Sequence, residues 1–304
     1  MPLLKYLTDV YFESGMLRQA AKLVSDLGLR KPLIVTDQGV IDAGLLHGLK
    51  IEAPVYGKVL TNPTESQAND VLRDYQYHRC DGLLAIGGGS SIDLAKCVGL
   101  LATQAGPLEQ YAYVNQGLPK IRETAVPLVA IPTTAGSGSE VGRAALVTLQ
   151  SGRKLALMSK HLLPKAVICD PELTLTLPAS LTAATGFDAL SHCIETYCSP
   201  RFNPVAGAIA LDGFAKGYQH IAEAVHHPDR LEAREQMMMC ALQGGLSFQK
   251  GLGAVHSLSH ALGSLTEKRL HHGTLNAIFL PHVLRFNYDC CSREIDSLAQ
   301  AAGL

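Results

Sequence analysis

Short apolar runs at 32–36, 54–59, 82–86, 128–132, 144–149 and 166–169 are separated by segments in which apolar residues recur every three or four positions. The runs are brief and bounded by Gly, Pro and Asp, so they read as strands. Strands alternating with helices predict a mainly parallel sheet with covering helices. From about residue 173 onward the strand signals stop. Helical periodicity then runs through 181–197, 204–224, 230–249, 255–265 and 274–286, with a helix-like stretch at 293–302. The expected fold is an α/β N-terminal domain over residues 1–172 and an all-α C-terminal domain over 173–304. The seam falls at Asp170-Pro171-Glu172 and Leu177-Pro178-Ala179-Ser180.

Composition narrows the function classes. A chain of 304 residues with 47% hydrophobic content can bury one large core or two ordinary ones. A formal net charge of −1 gives no electrostatic case for nucleic acid or an anionic membrane surface. No apolar run approaches the length of a transmembrane helix, and the N-terminus lacks a signal-peptide profile. The eight cysteines form no CxxC pair, and the adjacent Cys290-Cys291 suits no ordinary bridge, so reduced thiols in a cytoplasm are expected.

Candidate chemistry appears first where the strand 82–86 runs into Gly87-Gly88-Gly89-Ser90 and then a helix. Such a turn offers backbone N–H groups and a positive dipole end to a phosphate, and Gly88 and Gly89 admit close approach. Neither GxGxxG nor the P-loop pattern is present, so a plain strand-to-helix turn stands as the alternative. The strand 32–36 ends at Asp37. A carboxylate there accepts hydrogen bonds from an adenosine ribose and repels a 2′-phosphate, which favours NAD over NADP; capping of the next helix is the competing role. Thr133 and Thr134, at the end of the strand 128–132, are further candidates to touch a dinucleotide.

The second half carries a metal-like constellation. Asp188 and His192 stand four residues apart in a helical segment, with Glu195 near the same face. His256 and His260 repeat that spacing. His272 follows the charged connection Glu267-Lys268-Arg269, with His271 as a competitor beside it. A carboxylate and several imidazoles suit Fe(II) or Zn(II) better than Ca(II) or Mg(II). Twelve histidines make coincidence a real competitor, and neither pair is an HExxH signature.

Together these residues resemble the iron-containing (group III) alcohol dehydrogenases. The resemblance runs through Val35-Thr36-Asp37, Asn62-Pro63-Thr64, Gly87-Gly88-Gly89-Ser90 with Asp93 and Lys96, and Pro132-Thr133-Thr134-Ala135-Gly136. It continues through the segment from Ala184 to His192, Val255-His256 with His260, and His272-Gly273 leading to Leu280-Pro281-His282-Val283. It implies a Rossmann-like dinucleotide-binding domain and a helical metal-binding domain, an architecture shared with dehydroquinate synthase, with reaction in the cleft between them. The implied metal ligands are Asp188, His192, His256 and His272, holding Fe(II) first and Zn(II) second. Asp37, Asn62, Gly88, Gly89, Ser90, Thr133, Thr134 and Lys154 would bind NAD, or NADP. His260, beside the metal, would relay a proton. The expected reaction is hydride transfer between nicotinamide and a small alcohol or aldehyde, by a homodimer.

Two alternatives accompany that reading. A dehydroquinate synthase-type lyase also pairs NAD with a metal, but calls for a more basic pocket. A shortened relative that binds nucleotide without turnover is the other, because the helices with which members of the family continue are expected to be absent after Leu304.

Overall fold

The computed structural model describes residues 8–123, 126–263, 265 and 270–304. The connection Glu267-Lys268-Arg269 and Ser264, at the end of the expected helix 255–265, lie outside the described residues, as do positions 1–7. The described residues fall into two compact units. One comprises the described residues up to Thr133 together with Ser139–Leu173; the other comprises Thr134–Gly138 with Thr174–Leu304.

The first unit is built on six parallel strands. They are β1 (Asp9–Phe12), β2 (Pro32–Val35), β3 (Val55–Tyr56), β4 (Gly82–Gly87), β5 (Leu128–Pro132) and, after a separate hairpin of β6 (Ala144–Thr148) and β7 (Lys154–Met158), β8 (Ala166–Cys169). Their order across the sheet is β1-β8-β5-β4-β2-β3. Successive residues of β4 point to opposite faces. Leu84 and Ile86 join Leu17, Ala20, Val24 and Val40 in one core cluster, drawn from the segments that include α1 (Ala20–Asp26) and α2 (Gln38–Asp42). Leu83 instead faces Gly99 on α4 (Gly89–Leu101). Burial on both faces explains why the central strands are continuously apolar.

The strand order places β2 and β4 side by side, although the chain leaves β2 toward β3 on the other side. This is a topological switch point, where the connections leaving the carboxyl ends of two neighbouring strands run to opposite sides, the place where such sheets leave a crevice. Asp37 follows β2 there, and Gly88 follows β4.

Two polar anchors fix the loops around the crevice. Thr64 caps α3 (Glu65–Tyr77), its hydroxyl accepting from the Gln67 N–H at 3.1 Å. Lys96 is buried on α4 and donates to the carbonyls of Ser139, Gly142 and Ala144 at 2.6–2.8 Å. Asp93, one turn earlier, accepts from the Ser139 hydroxyl and the Leu146 N–H. Burial lowers the Lys96 ammonium to about 8, against the opposing pull of Asp93 and Glu140.

The second unit is helical. It contains α5 (Ala179–Cys198), α6 (Pro204–His226), α7 (Leu231–Ser247), α8 (Ala254–Gly263) and α9 (His272–Ala302). The expected helices 274–286 and 293–302 form one element with a kink at Cys291, where φ is −141°. Among the described residues no helix is long and apolar enough to cross a membrane.

Candidate active site

Three helices bring the polar cluster of the second unit together. Asp188, His192 and Glu195 stand on the buried face of α5, His256 and His260 on α8, and His272 at the first position of α9. A Cβ at position 273 would overlap the Ala184 carbonyl oxygen of α5, so Gly273 is what lets the start of α9 close on α5 and carry His272 inward.

The geometry centres on one oxygen. Asp188 Oδ1 lies 3.7 Å from His192 Nε2, 3.6 Å from His256 Nε2 and 3.5 Å from His272 Nε2. These separations exceed those of a good N–H···O hydrogen bond. Ligand atoms held about 2.1 Å from one ion at tetrahedral angles stand roughly 3.4 Å apart, which fits the three Asp188–imidazole separations. Asp188, His256 and His272 each offer one ligand atom, all within 4.8 Å of one another, the one such group among the described residues. His192 stacks on His256 with ring centroids 4.4 Å apart. His260 borders the group, its ring 4.9 Å from His272 and 6.0 Å from His256. His271 precedes α9 without a side-chain capping bond and stands outside the group.

Electrostatics suit a cation. Burial opposes the charge of Asp188, yet His192, His256 and His272 hold its carboxyl far below the usual range. Burial takes His192 down to about 4, so its imidazole is neutral near pH 7. His256 is also buried, but hydrogen bonds and charge from Asp188 and Glu195 raise it to about 9. Glu195 Oε2 accepts from His256 Nδ1 at 2.5 Å, while Oε1 accepts from the Val255 N–H at 2.6 Å. A carboxylate only accepts, so Nδ1 carries the proton and Nε2 is turned toward Asp188.

The first unit assembles a different cluster. Lys154 donates to Asn62 Oδ1 at 2.6 Å, and the Asn62 N–H approaches the Ser90 hydroxyl at 3.4 Å. Gly88 caps α4 with extended backbone and no side chain over the helix start, and Gly89 and Ser90 form its first turn. Gly87 adopts φ 149°, and a Cβ there would strike the Ser91 hydroxyl. Asp37 caps α2 through Oδ1, accepting from the Val40 N–H at 3.1 Å, while Oδ2 points toward Gly87. Thr133 is buried, and its N–H reaches the Gly87 carbonyl at 3.0 Å. Thr134 is grouped with the helical unit.

The profile of iron-containing alcohol dehydrogenases matches residues 8–171, and the profile of that family's C-terminal part matches residues 182–304. The chain belongs to the iron-containing alcohol dehydrogenase family. A 4-hydroxybutyrate dehydrogenase of Cupriavidus necator is 49% identical over 299 residues, covering 95% of this chain and 78% of that protein. An NAD-dependent methanol dehydrogenase of Bacillus methanolicus is 34% identical over 298 residues, with coverage of 95% and 77%. A crystal structure of a 1,3-propanediol oxidoreductase superposes with a TM-score of 0.93 at 34% identity, covering 100% of this chain and 81% of that one.

Two residues at the centre of this iron-containing alcohol dehydrogenase's cluster were not assigned roles by sequence reasoning. Glu195 shares the Asp188 face, and its seven-residue step from Asp188 is the signal in the sequence. Asn276 stands one turn after His272, the same four-residue spacing that joins Asp188 to His192. It is fully buried, and its Nδ2 donates to Asp188 Oδ1 at 2.7 Å.

Proposed function

We propose that this member of the family is a metal-dependent, NAD(P)-linked alcohol dehydrogenase, with a C4 ω-hydroxy acid such as 4-hydroxybutyrate as the first substrate to test. The observation that carries the reading is the approach of three imidazole Nε2 atoms to Asp188 Oδ1 at 3.5–3.7 Å. The 49% identity to a 4-hydroxybutyrate dehydrogenase supports the substrate. Nucleotide binding is assigned to residues up to about 172 and metal binding to those beyond.

Asp188, His192, His256 and His272 would hold the ion, Fe(II) first and Zn(II) as the alternative. When bound, it supplies a Lewis acid that acidifies the alcohol hydroxyl; NAD, with NADP second, supplies the hydride acceptor at nicotinamide C4. Glu195 holds the proton on His256 Nδ1, so that the proton given up on metal binding would leave from Nε2. Lys154, Asn62 and Ser90, with the α4 N-terminus formed by Gly88 and Gly89, bind the cofactor's phosphates. The Asp37 carboxylate caps α2 with one oxygen and accepts from the adenosine ribose with the other. Thr133 and Thr134 line the nicotinamide side. His260 takes the alcohol proton toward solvent.

The enzyme is proposed to work as a homodimer in the cytoplasm; the eight cysteines, all free thiols, support a reducing compartment. The test is NADH formation on 4-hydroxybutyrate, methanol and 1,3-propanediol, and NADH consumption on the matching aldehydes, using Fe(II)-loaded protein prepared without oxygen. Highest kcat/KM on the hydroxy acid is expected. Metal-loaded, NADH-binding protein that turns over none of them overturns the reading. Replacing His260 by Asn should lower kcat and flatten its rise with pH while metal content holds; an unchanged profile removes His260 from the proton path.

A further inference from the structure

Glu65 is the first residue of α3, a position where an acidic side chain ordinarily faces solvent and favours the positive end of the helix. Here the residue is buried, 3% exposed, and both carboxylate oxygens are engaged by other segments. Oε1 accepts from the Leu108 N–H at 2.6 Å and Oε2 from the Gln150 N–H at 3.2 Å. A carboxylate only accepts, so it offers one oxygen to each donor. An amide of the same shape would meet one of them with an N–H of its own.

Both donors belong to segments that flank β7. Gln150 lies in the turn between β6 and β7, and the segment after Leu108 reaches β7 through a bridge between Ala112 and Leu157. The residues just before Glu65 hold β6. The Thr148 N–H donates to the Pro63 carbonyl at 2.8 Å, and Thr64 forms a bridge with Thr148. Thr148 is the cross-strand partner of Lys154, the first residue of β7. Lys154 then donates to Asn62 Oδ1 at 2.6 Å, which closes the circuit on one short run, Asn62-Pro63-Thr64-Glu65. Asn62 itself has φ 59°, a left-handed conformation that costs a residue with a side chain energy and persists where the surroundings impose it.

We propose that Glu65 is a positioning residue for the cofactor site, clamping the β6–β7 hairpin so that the Lys154 ammonium stands at Asn62. Glu65 does not touch the cofactor. This rests on the reading of Lys154 and Asn62 as cofactor-binding residues and adds the group that places them. Without the clamp, Lys154 keeps its charge but its position is no longer fixed before the cofactor arrives, and affinity falls through lost preorganisation.

The experiment is a double-mutant cycle on NADH binding, read from the fluorescence of bound NADH with the purified full chain. The four proteins are the wild type, Glu65→Gln, Lys154→Met and the double variant. Lys154→Met and Glu65→Gln should each weaken NADH by about 10-fold, the size expected when a hydrogen bond to a charged group is lost. In the Lys154→Met background, Glu65→Gln should cost less than about twofold, because the residue it places is gone. A carboxylate that only stabilised the fold would act equally in both backgrounds. Zn(II) affinity, read by chelator competition, should be unchanged in Glu65→Gln, since the metal candidates lie in the helical unit.

Equal losses from Glu65→Gln in both backgrounds, or no loss in either, overturns the positioning role, and a large effect of Lys154→Met then leaves the cofactor reading standing. A matching fall in Zn(II) affinity shows general loosening and overturns it as well. Wild-type NADH affinity in Lys154→Met, or folded wild type that binds no NADH, removes both the cofactor assignment of Lys154 and the role of Glu65. If Glu65→Gln fails to fold, Glu65→Asp takes its place in the cycle, its charge kept but its side chain one methylene too short to reach both N–H groups.

Discussion

Glu195 illustrates how one side chain controls the chemistry of another. It donates nothing, so the proton on His256 Nδ1 is fixed and Nε2 is left to face Asp188. Glu195→Gln keeps the volume but weakens that direction, and metal affinity should fall about 10- to 100-fold, read by chelator competition. An unchanged affinity would show that helix packing alone orients His256. Gly273 acts differently, through what it lacks. In Gly273→Ala the new methyl meets the Ala184 carbonyl, so α9 must retreat. A loss of roughly 1–3 kcal/mol is expected from such overpacking, with reduced metal occupancy in the protein that remains folded; chemical denaturation and metal analysis check both. Glycine beside histidine was legible as a motif, but its reason lay in the proximity of two helices, which no local pattern carries.

At the scale of elements, the parallel strands and long helices were legible because burial on both faces leaves continuous apolar runs, and burial on one face leaves a 3.6-residue period. The exceptions have physical causes. The run 54–59 is strand only at Val55–Tyr56, on the sheet edge, entered by Pro54 and left at Gly57. Lys154–Met158 and Asp9–Phe12 went unrecognised as strands because each is only partly buried and mixes polar with apolar residues. The segment 144–149 belongs to a hairpin and not to the main sheet, since it pairs with that overlooked strand.

The α4 anchor also carries a pH signature. Burial, opposed by Lys96, raises the Glu140 carboxyl from 4.5 to about 7. The folded state therefore holds a proton that the unfolded state releases, and stability falls as pH rises from about 4.5 to 7. The contribution is on the order of 3 kcal/mol across that window. Glu140→Gln should flatten the slope of unfolding free energy between those pH values, and an unaltered slope would contradict the burial argument. Asp37→Ser keeps the α2 cap and removes the carboxylate. Its KM for NAD should rise severalfold with little loss of Tm, whereas a large Tm loss with unchanged KM would leave Asp37 with only its capping role.

For the whole molecule, the metal candidates fall in one compact unit and the cofactor candidates, Thr134 apart, in the other. The β2–β4 switch point carries Asp37, Asn62, Gly88, Ser90 and Lys154, and the helical unit carries Asp188, His192, His256 and His272. The carboxylate–histidine spacing and the glycine turn were visible in the sequence because they are local. Asn62 with Lys154, ninety-two residues apart, and Asn276 with Asp188, eighty-eight apart, became neighbours only through folding.

The claim on which the account turns is that the four ligand side chains hold one divalent ion. Metal analysis of anaerobically purified protein, wild type against His256→Ala, tests it most directly. The account predicts close to one Fe or Zn per chain in the wild type and less than about a tenth of that in the variant, with circular dichroism showing both folded. Metal-free wild type that stays empty after incubation with Fe(II) and Zn(II), or equal occupancy in both proteins, would contradict it.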